Sequence, residues 1–284
     1  MSKFNLILSM IIFGTIGIFV KYIPLCSGTI AWLRATIGFL FLLLVVLCKK
    51  SKISFKDIKK NFKFLIPSGI FLGVNWILLF ESYHYTSVAT ATLCYYLAPT
   101  FIIIASPFVL KEKLTFKKII CATVSLVGMV FVSGVLNTGF EITELVGVGF
   151  GIGAALLYAT IVLLNKKTTD ISSYDLTAFQ LFMSSLVLLP YVLLTQDFGG
   201  VKIDIKLVVL VIFIGIVHTG LAYMLYFGSV QKVKAQTAAL FSYIDPVLAV
   251  ILSAVLLKES INLLTILGAI LILGASAVGE LEKQ

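Results

Sequence analysis

Asp245 is followed directly by Pro246 in the middle of a strongly apolar stretch. A charge at the centre of a bilayer costs about 2.5 to 3.5 kcal/mol on insertion scales, so a carboxylate there needs a partner or a water-filled path. Pro246 removes one backbone donor and frees the carbonyl four residues earlier, which marks a break in the helix. Two readings stand. Asp245 is either a proton-sensitive or cation-recognising carboxylate, and so a candidate coupling residue, or a cap that satisfies local backbone donors. Pro99 is the matching break in an earlier stretch.

Arg34, the sole arginine, is the other coupling candidate. Set a turn or two into an apolar run, it can snorkel to an interface, join a structural ion pair or bind a carboxylate. His218 lies well inside another run, where a neutral imidazole both donates and accepts and titrates near neutral pH. His84 falls in a short turn and is expected to be solvated. The aromatic residues Trp76, Tyr95, Tyr96, Tyr158, Tyr223, Tyr226 and Tyr243 stand mostly deep within runs, not in the interfacial belts where tyrosine gathers. Asn75 and Gln180 add neutral donors and acceptors. Each of these taken singly is explained by an interhelical hydrogen bond. Together, Asn75, Trp76, Tyr95, Tyr96, Tyr158, Gln180, His218, Tyr223 and Tyr243 are expected to line a polar, aromatic cavity for a small molecule. Gly147, Gly149, Gly151 and Gly153 resemble a phosphate loop only superficially, since no strand precedes them. Their spacing suits close helix contact, as does that of Gly69 and Gly73.

The elements that must position these side chains follow from composition. Of 284 residues, 60% are hydrophobic and 12% charged, and the mean hydropathy is +1.10. A soluble domain carries about twice that charge, so a soluble fold is excluded. Apolar runs between charged or Pro/Gly breaks predict helices at about 4 to 21, 28 to 48, 63 to 83, 87 to 110 and 116 to 136. Five more follow at about 144 to 165, 174 to 195, 206 to 228, 234 to 257 and 261 to 279. The expected class is an all-α polytopic membrane protein of ten transmembrane helices. Connections this short leave no length for a separate catalytic domain, and the run from Phe4 to Val20, with no cleavage site after it, reads as a retained first span.

With the N-terminus cytoplasmic, 17 lysines fall in inner segments and only Lys21, Lys202, Lys206 and Lys258 in outer ones, within a net charge of +9. That asymmetry predicts cytoplasmic N- and C-termini in the cytoplasmic membrane. It also directs the basic excess to lipid headgroups rather than nucleic acid. The four cysteines, Cys26, Cys48, Cys94 and Cys121, show no metal-ligand spacing and read as small packers. No metal or cofactor is expected, and oligomeric state is left open.

Sliding the sequence by 147 positions pairs Gly73 with Gly220, Thr90 with Thr237, Tyr96 with Tyr243, Pro99 with Pro246, Lys111 with Lys258 and Glu112 with Glu259. In all, 17 identities fall in about 54 positions. Five helices per repeat is an odd number, so the second repeat enters the membrane inverted, an arrangement that supports alternating access. Asp245 pairs with Ala98, so its role is not symmetric.

These features resemble the drug/metabolite transporter superfamily, in particular the EamA family of ten-helix bacterial exporters. The residues that carry the likeness are Phe13-Gly14-Thr15, Arg34, Thr86-Ser87-Val88-Ala89, and Leu97-x-Pro99 with Leu110-Lys111-Glu112. The second half adds Tyr158-Ala159, Thr219-Gly220-Leu221-Ala222-Tyr223, and Asp245-Pro246 with Leu257-Lys258-Glu259. Phe13 stands where the family usually has tryptophan, and Asp245 where it often has glutamate. The resemblance implies an EamA-like repeat over residues 1–140 and an inverted copy over 141–284. It also implies a secondary transporter exporting small metabolites such as amino acids or related amines and carboxylates, with protons as a possible coupling ion. Two other classes stand beside it. One is a passive channel, which would show neither saturation nor counterflow, or a uniporter for small solutes. An intramembrane enzyme would have only His218 and Asp245 as an acid/base pair, and the chain has neither His-Glu-x-x-His nor Gly-x-Ser-x-Gly.

Overall fold

A computed structural model describes residues 2–48, 53–86, 88–133, 145–195, 203–257 and 263–280. The expected repeat boundary at 140/141, the pair Lys258-Glu259, and Ser87, Lys49, Lys50, Lys52, Lys202 and Lys283 lie outside these residues. Every regular element among the described residues is helical.

The long apolar runs form long helices because a chain in lipid must satisfy its own backbone. They are α1 (Ser2–Val20), α2 (Ser27–Cys48), α4 (Phe62–Tyr85), α7 (Phe116–Ser133), α8 (Leu145–Lys166), α9 (Ser173–Thr195) and α14 (Leu263–Glu280). A six-residue helix that the apolar runs did not predict, α3 (Phe55–Lys60), begins where the Ser54 side chain accepts from the Asp57 amide. Among the described residues seven helical stretches are long and apolar enough to cross a membrane, namely α1, α2, α4, α8, α9, Thr90–Leu110 and Ile205–Val230, so the chain is a polytopic membrane protein.

Three runs expected as single helices are interrupted. The run expected at about 87 to 110 holds α5 (Val88–Tyr95) and α6 (Ala98–Leu110), and that expected at about 234 to 257 holds α12 (Ala235–Ser242) and α13 (Ile244–Leu257). In each case the proline comes just after the break, at the second position of α6 and the third of α13, inside the first turn where a missing N–H is harmless. Tyr96 and Tyr243 therefore sit at the breaks. The third run holds α10 (Ile205–Phe213), a π-helical turn (Ile214–Leu221) and α11 (Ala222–Val230). One extra residue in that wide turn rotates the side chains on either side of it relative to each other.

Packing follows the small residues. A Cβ on Gly69 or Gly73 would meet Met183 at 2.6 Å or Val187 at 2.9 Å, so α4 lies close against α9. Gly147 and Gly151 bring α8 against Thr86 and Cys94, whereas a Cβ on Gly149 would meet nothing within 4 Å. Gly153 faces α4, where a Cβ would stand 3.3 Å from Leu78, so of the four glycines Gly149 alone makes no close helix contact. Gly128 and Gly268 join α7 to α14, where a Cβ on Gly268 would come within 2.5 Å of the Gly128 carbonyl oxygen. The main apolar core runs through α4, α8, α9, α11 and α12, with Leu72, Ile161, Leu181, Tyr226, Phe227 and Leu240 buried in it.

Candidate functional site

At the middle of the bundle the structure gathers aromatic rings into one continuous cluster. Phe13 of α1 meets Tyr223 edge-on at 5.0 Å and Tyr226 at 6.2 Å. Tyr158 of α8 stacks on Tyr226 at 6.2 Å and touches Tyr95 at 5.8 Å, and Tyr95 continues to Tyr96 at 6.0 Å. Trp76 of α4 closes the other side, 5.9 Å from Tyr223. A charge stands at each extremity. The Arg34 guanidinium lies 5.3 Å from the centre of the Trp76 ring, and its Nε donates to Thr219 Oγ1 at 3.0 Å. At the other extremity the Tyr96 hydroxyl donates to Asp245 Oδ2 at 3.3 Å. Tyr95 and Tyr223 are within electrostatic reach of both charges. Tyr223 and Tyr226 are buried, while Arg34, Tyr95, Tyr96, Tyr158 and Asp245 are half-buried.

Local sequence explains the assembly. Asp245 is the second residue of α13, so its carboxylate sits at a helix N-terminus, where free amides and the helix dipole favour negative charge. Gly14 allows α1 to pass beside it. A Cβ there would stand 2.9 Å from Leu248 Cβ and 3.0 Å from the Asp245 carbonyl oxygen. Thr15, the next residue, meets His218 Nε2 at 2.8 Å and donates its own proton to the Ile12 carbonyl at 2.7 Å. Thr15 Oγ1 thus bridges the imidazole and the backbone of its own helix. The three residues Phe13, Gly14 and Thr15 thus serve the ring cluster, the approach to α13 and the histidine respectively.

The structure places four expected cavity residues outside this ring cluster, although the buried group that holds Tyr243 packs against Tyr96. Asn75 is fully buried and donates through Nδ2 to the Ala154 carbonyl at 2.5 Å, binding α4 to α8. Gln180, also fully buried, donates to Asn165 Oδ1 and to Ser68 Oγ, each at 2.5 Å. Both amides are helix-to-helix ties, the alternative that applied to them singly. Tyr243 is buried with Met129, Val247 and Ile272 and bonds Thr100 at 2.9 Å. His218 is held between Phe19 and Phe213, at ring distances of 5.2 and 5.5 Å. His84 is exposed, as expected.

One end of the bundle is fastened by polar contacts. Glu112, just past α6, accepts from the amides of Ala235 at 2.8 Å and Gln236 at 3.4 Å, the first residues of α12. Gln236 in turn accepts from Lys118 Nζ at 2.6 Å and donates to Ser106 Oγ at 2.7 Å. Lys166 donates to the carbonyls of Gln231 and Val233, and Gln231 donates to Thr168 Oγ1. Lys60 bonds Asp170 at 2.6 Å, and Asn61 donates to the Thr169 carbonyl. The ion pair raises Lys60 above the usual lysine range and lowers Asp170 below the usual carboxylate range, chiefly through their shared hydrogen bond. These contacts escaped the sequence reading. The one available signal was the Leu110-Lys111-Glu112 triplet, where Lys111 takes a left-handed conformation that ends α6.

Among the described residues no group of three or more His, Cys, Asp or Glu could hold a metal. The description "EamA-like transporter family" matches the chain twice, over residues 2–134 and 145–278. The chain belongs to the EamA-like transporter family. It is similar to the uncharacterized transporter YxxF of Bacillus subtilis (strain 168), 29% identical over 283 residues, covering 99% of this chain and 89% of the relative. An uncharacterized transporter of Archaeoglobus fulgidus is 26% identical over 278 residues, covering 98% and 95%. Protein PecM of Dickeya dadantii is 20% identical over 216 residues, covering 75% and 71%. In fold, this EamA-like chain also matches a solved crystal structure at a TM-score of 0.88 and 17% identity, over 99% of this chain and 97% of that one.

Proposed function

We propose that this EamA-like protein is a secondary transporter that exports a small metabolite, an amino acid or a related amine or carboxylate, across the cytoplasmic membrane by alternating access. The observation that carries the proposal is the half-buried aromatic cluster between Arg34 and Asp245, at mid-depth in a bundle fastened at one end. A water-filled chamber there would account for two charges inside apolar helices. In this reading there are ten spans. The runs α5 with α6, α10 with α11 and α12 with α13 each cross once, and α3 lies along the surface. The two family matches, 2–134 and 145–278, support two five-helix repeats with a boundary near 140, and the odd helix number makes the second inverted. Lysine asymmetry puts both termini and the fastened end on the cytoplasmic side. The chamber then opens outward, and the substrate gradient or a proton gradient drives net flux.

Asp245 is the coupling residue in this scheme, and Phe13, Trp76, Tyr95, Tyr96, Tyr158 and Tyr223 are the chamber wall. The test is counterflow of a labelled amino-acid panel in proteoliposomes, with and without an imposed pH gradient, for the wild type and Asp245→Asn. Saturable counterflow that survives in D245N, together with loss of pH-driven accumulation, is the expected result. Linear flux without counterflow would mean a channel, and counterflow indifferent to both pH and mutation would leave Asp245 a structural cap.

A further inference from the structure

We propose that Arg34 is the substrate's anion subsite, taking a carboxylate on its two terminal nitrogens and so selecting carboxylate-bearing substrates over simple amines. This rests on the transporter reading above and resolves the choice it leaves open.

The geometry excludes the two structural roles open to a lone arginine in a span. The first is snorkelling. Arg34 lies seven residues into α2, about 10 Å along the helix from Ser27. Its guanidinium does not turn back to that end. It reaches sideways to Trp76, about 14 Å from the end of α4 at Tyr85, and to Thr219, about 20 Å from the start of α10. The second is an internal ion pair. Among the described residues no carboxylate lies within ion-pair distance of Arg34, and Asp245 accepts from Tyr96. His218, the neighbouring titratable group, directs Nε2 to Thr15 and brings no negative charge.

What remains is a positioned, incompletely satisfied cation. Its Nε is held by Thr219 and one face is covered by Trp76, which fixes the plane of the group. The four N–H bonds of the terminal nitrogens have no partner among the described residues. A planar guanidinium held in this way presents a fork that matches a carboxylate bidentately, which a lysine could not do. The charge is permanent, so an approaching ammonium group is repelled at this end of the cluster. Tyr95 and Tyr223 border the same space and supply hydroxyls and ring faces for the rest of the molecule. A single guanidinium balances one negative charge, which suits a monocarboxylate better than a phosphate dianion.

The experiment takes the labelled substrate that shows counterflow in the amino-acid panel and competes it with three probes of one shape, L-leucine, 4-methylpentanoate and 3-methylbutylamine, and with inorganic phosphate. In the wild type, both carboxylates compete and the amine and phosphate do not. R34Q weakens the carboxylates about 10- to 100-fold and removes their advantage over the amine, and R34K, with the charge but not the fork, falls between. T219V, which frees Nε, raises the half-inhibitory carboxylate concentration while the amine still fails to compete, and it keeps the test valid should R34Q fail to fold. Equal competition by amine and carboxylate in the wild type, or carboxylate preference intact in R34Q, overturns the assignment while leaving the transporter reading in place. Competition by phosphate alone overturns it in favour of a phosphate site. Absence of counterflow for every panel member overturns the transporter reading and this assignment with it.

Discussion

Replacing Glu112 tests whether the fastened end of the bundle is a gate. Its carboxylate accepts two amides at the start of α12, and in doing so joins the turn after α6 to the turn before α12. Removing a side-chain cap costs about 0.5 to 2 kcal/mol, and a carboxylate at a helix N-terminus contributes a further 0.3 to 1 kcal/mol or so. Lys118, Gln236 and Ser106 still connect the same elements in the variant, so Glu112→Ala removes one tie of several. A loss of about 1.5 kcal/mol confined to the closed arrangement shifts the closed-to-open ratio about tenfold. In the open arrangement the two amides face water and lose nothing, which is why the whole effect falls on one side of the equilibrium. The assay is pulsed electron–electron distance measurement between spin labels at Lys113 and Lys232, exposed positions on the two turns, in a background without native cysteines. A longer-distance population, minor in the parent, should grow markedly in E112A and to a smaller extent in E112Q, which keeps an acceptor oxygen. A distance distribution unchanged from the parent, with thermal stability lowered by the same energy, would show that Glu112 holds the fold and not a gate.

Three further outcomes follow from single contacts. Gly268→Ala should destabilise by about 1 to 3 kcal/mol, because its Cβ would come within 2.5 Å of a backbone oxygen of Gly128, whereas Gly274→Ala on the same helix meets nothing within 4 Å; thermal unfolding in one detergent compares them, and equal stability would refute the contact. Thr15→Val leaves the buried His218 Nε2 without its hydrogen-bond partner and should cost about 1 to 3 kcal/mol, while adding His218→Leu should recover part of that loss, so the double-mutant cycle must be non-additive. The Lys60–Asp170 pair is exposed and should matter little. Because Asp170 is lowered, its contribution is present above the ordinary carboxylate range and disappears as pH falls through its depressed value. Because Lys60 is raised, its contribution is full below the ordinary lysine range and disappears as pH rises through its elevated value. A small, salt-sensitive effect of Asp170→Asn, full between about pH 4 and pH 10 and fading beyond either end, is the expected titration.

The long helices were legible because lipid allows few alternatives for an apolar run of such length, and the breaks near Pro99 and Pro246 because proline cannot take part in the hydrogen bond its position requires. Depth within a span was legible too, since it is only a count of residues. Direction was not. Asn75 and Trp76 are neighbours in α4, and about 100° of helical rotation separates their side chains. That rotation turns Asn75 to a carbonyl of α8 and Trp76 to Arg34 and Tyr223, so one polar residue is absorbed by packing while the adjacent ring joins the site. The same holds for His218 and Thr219, which reach Thr15 on α1 and Arg34 on α2 from one π-helical turn. A regular α-helical projection across residues 206 to 228 misplaces one side of that turn, because the extra residue shifts the phase by about 100°. Close approach at the turn is permitted by Gly38, Gly215 and Gly220, where a Cβ on Gly220 would stand 2.7 Å from the Phe41 ring and one on Gly215 would stand 2.6 Å from Ile37. The glycines were visible in the sequence, but their use depends on which helix face each occupies. That phase is set by the bundle as a whole, and it decides which arginine nitrogen meets Thr219 and which are left for a ligand.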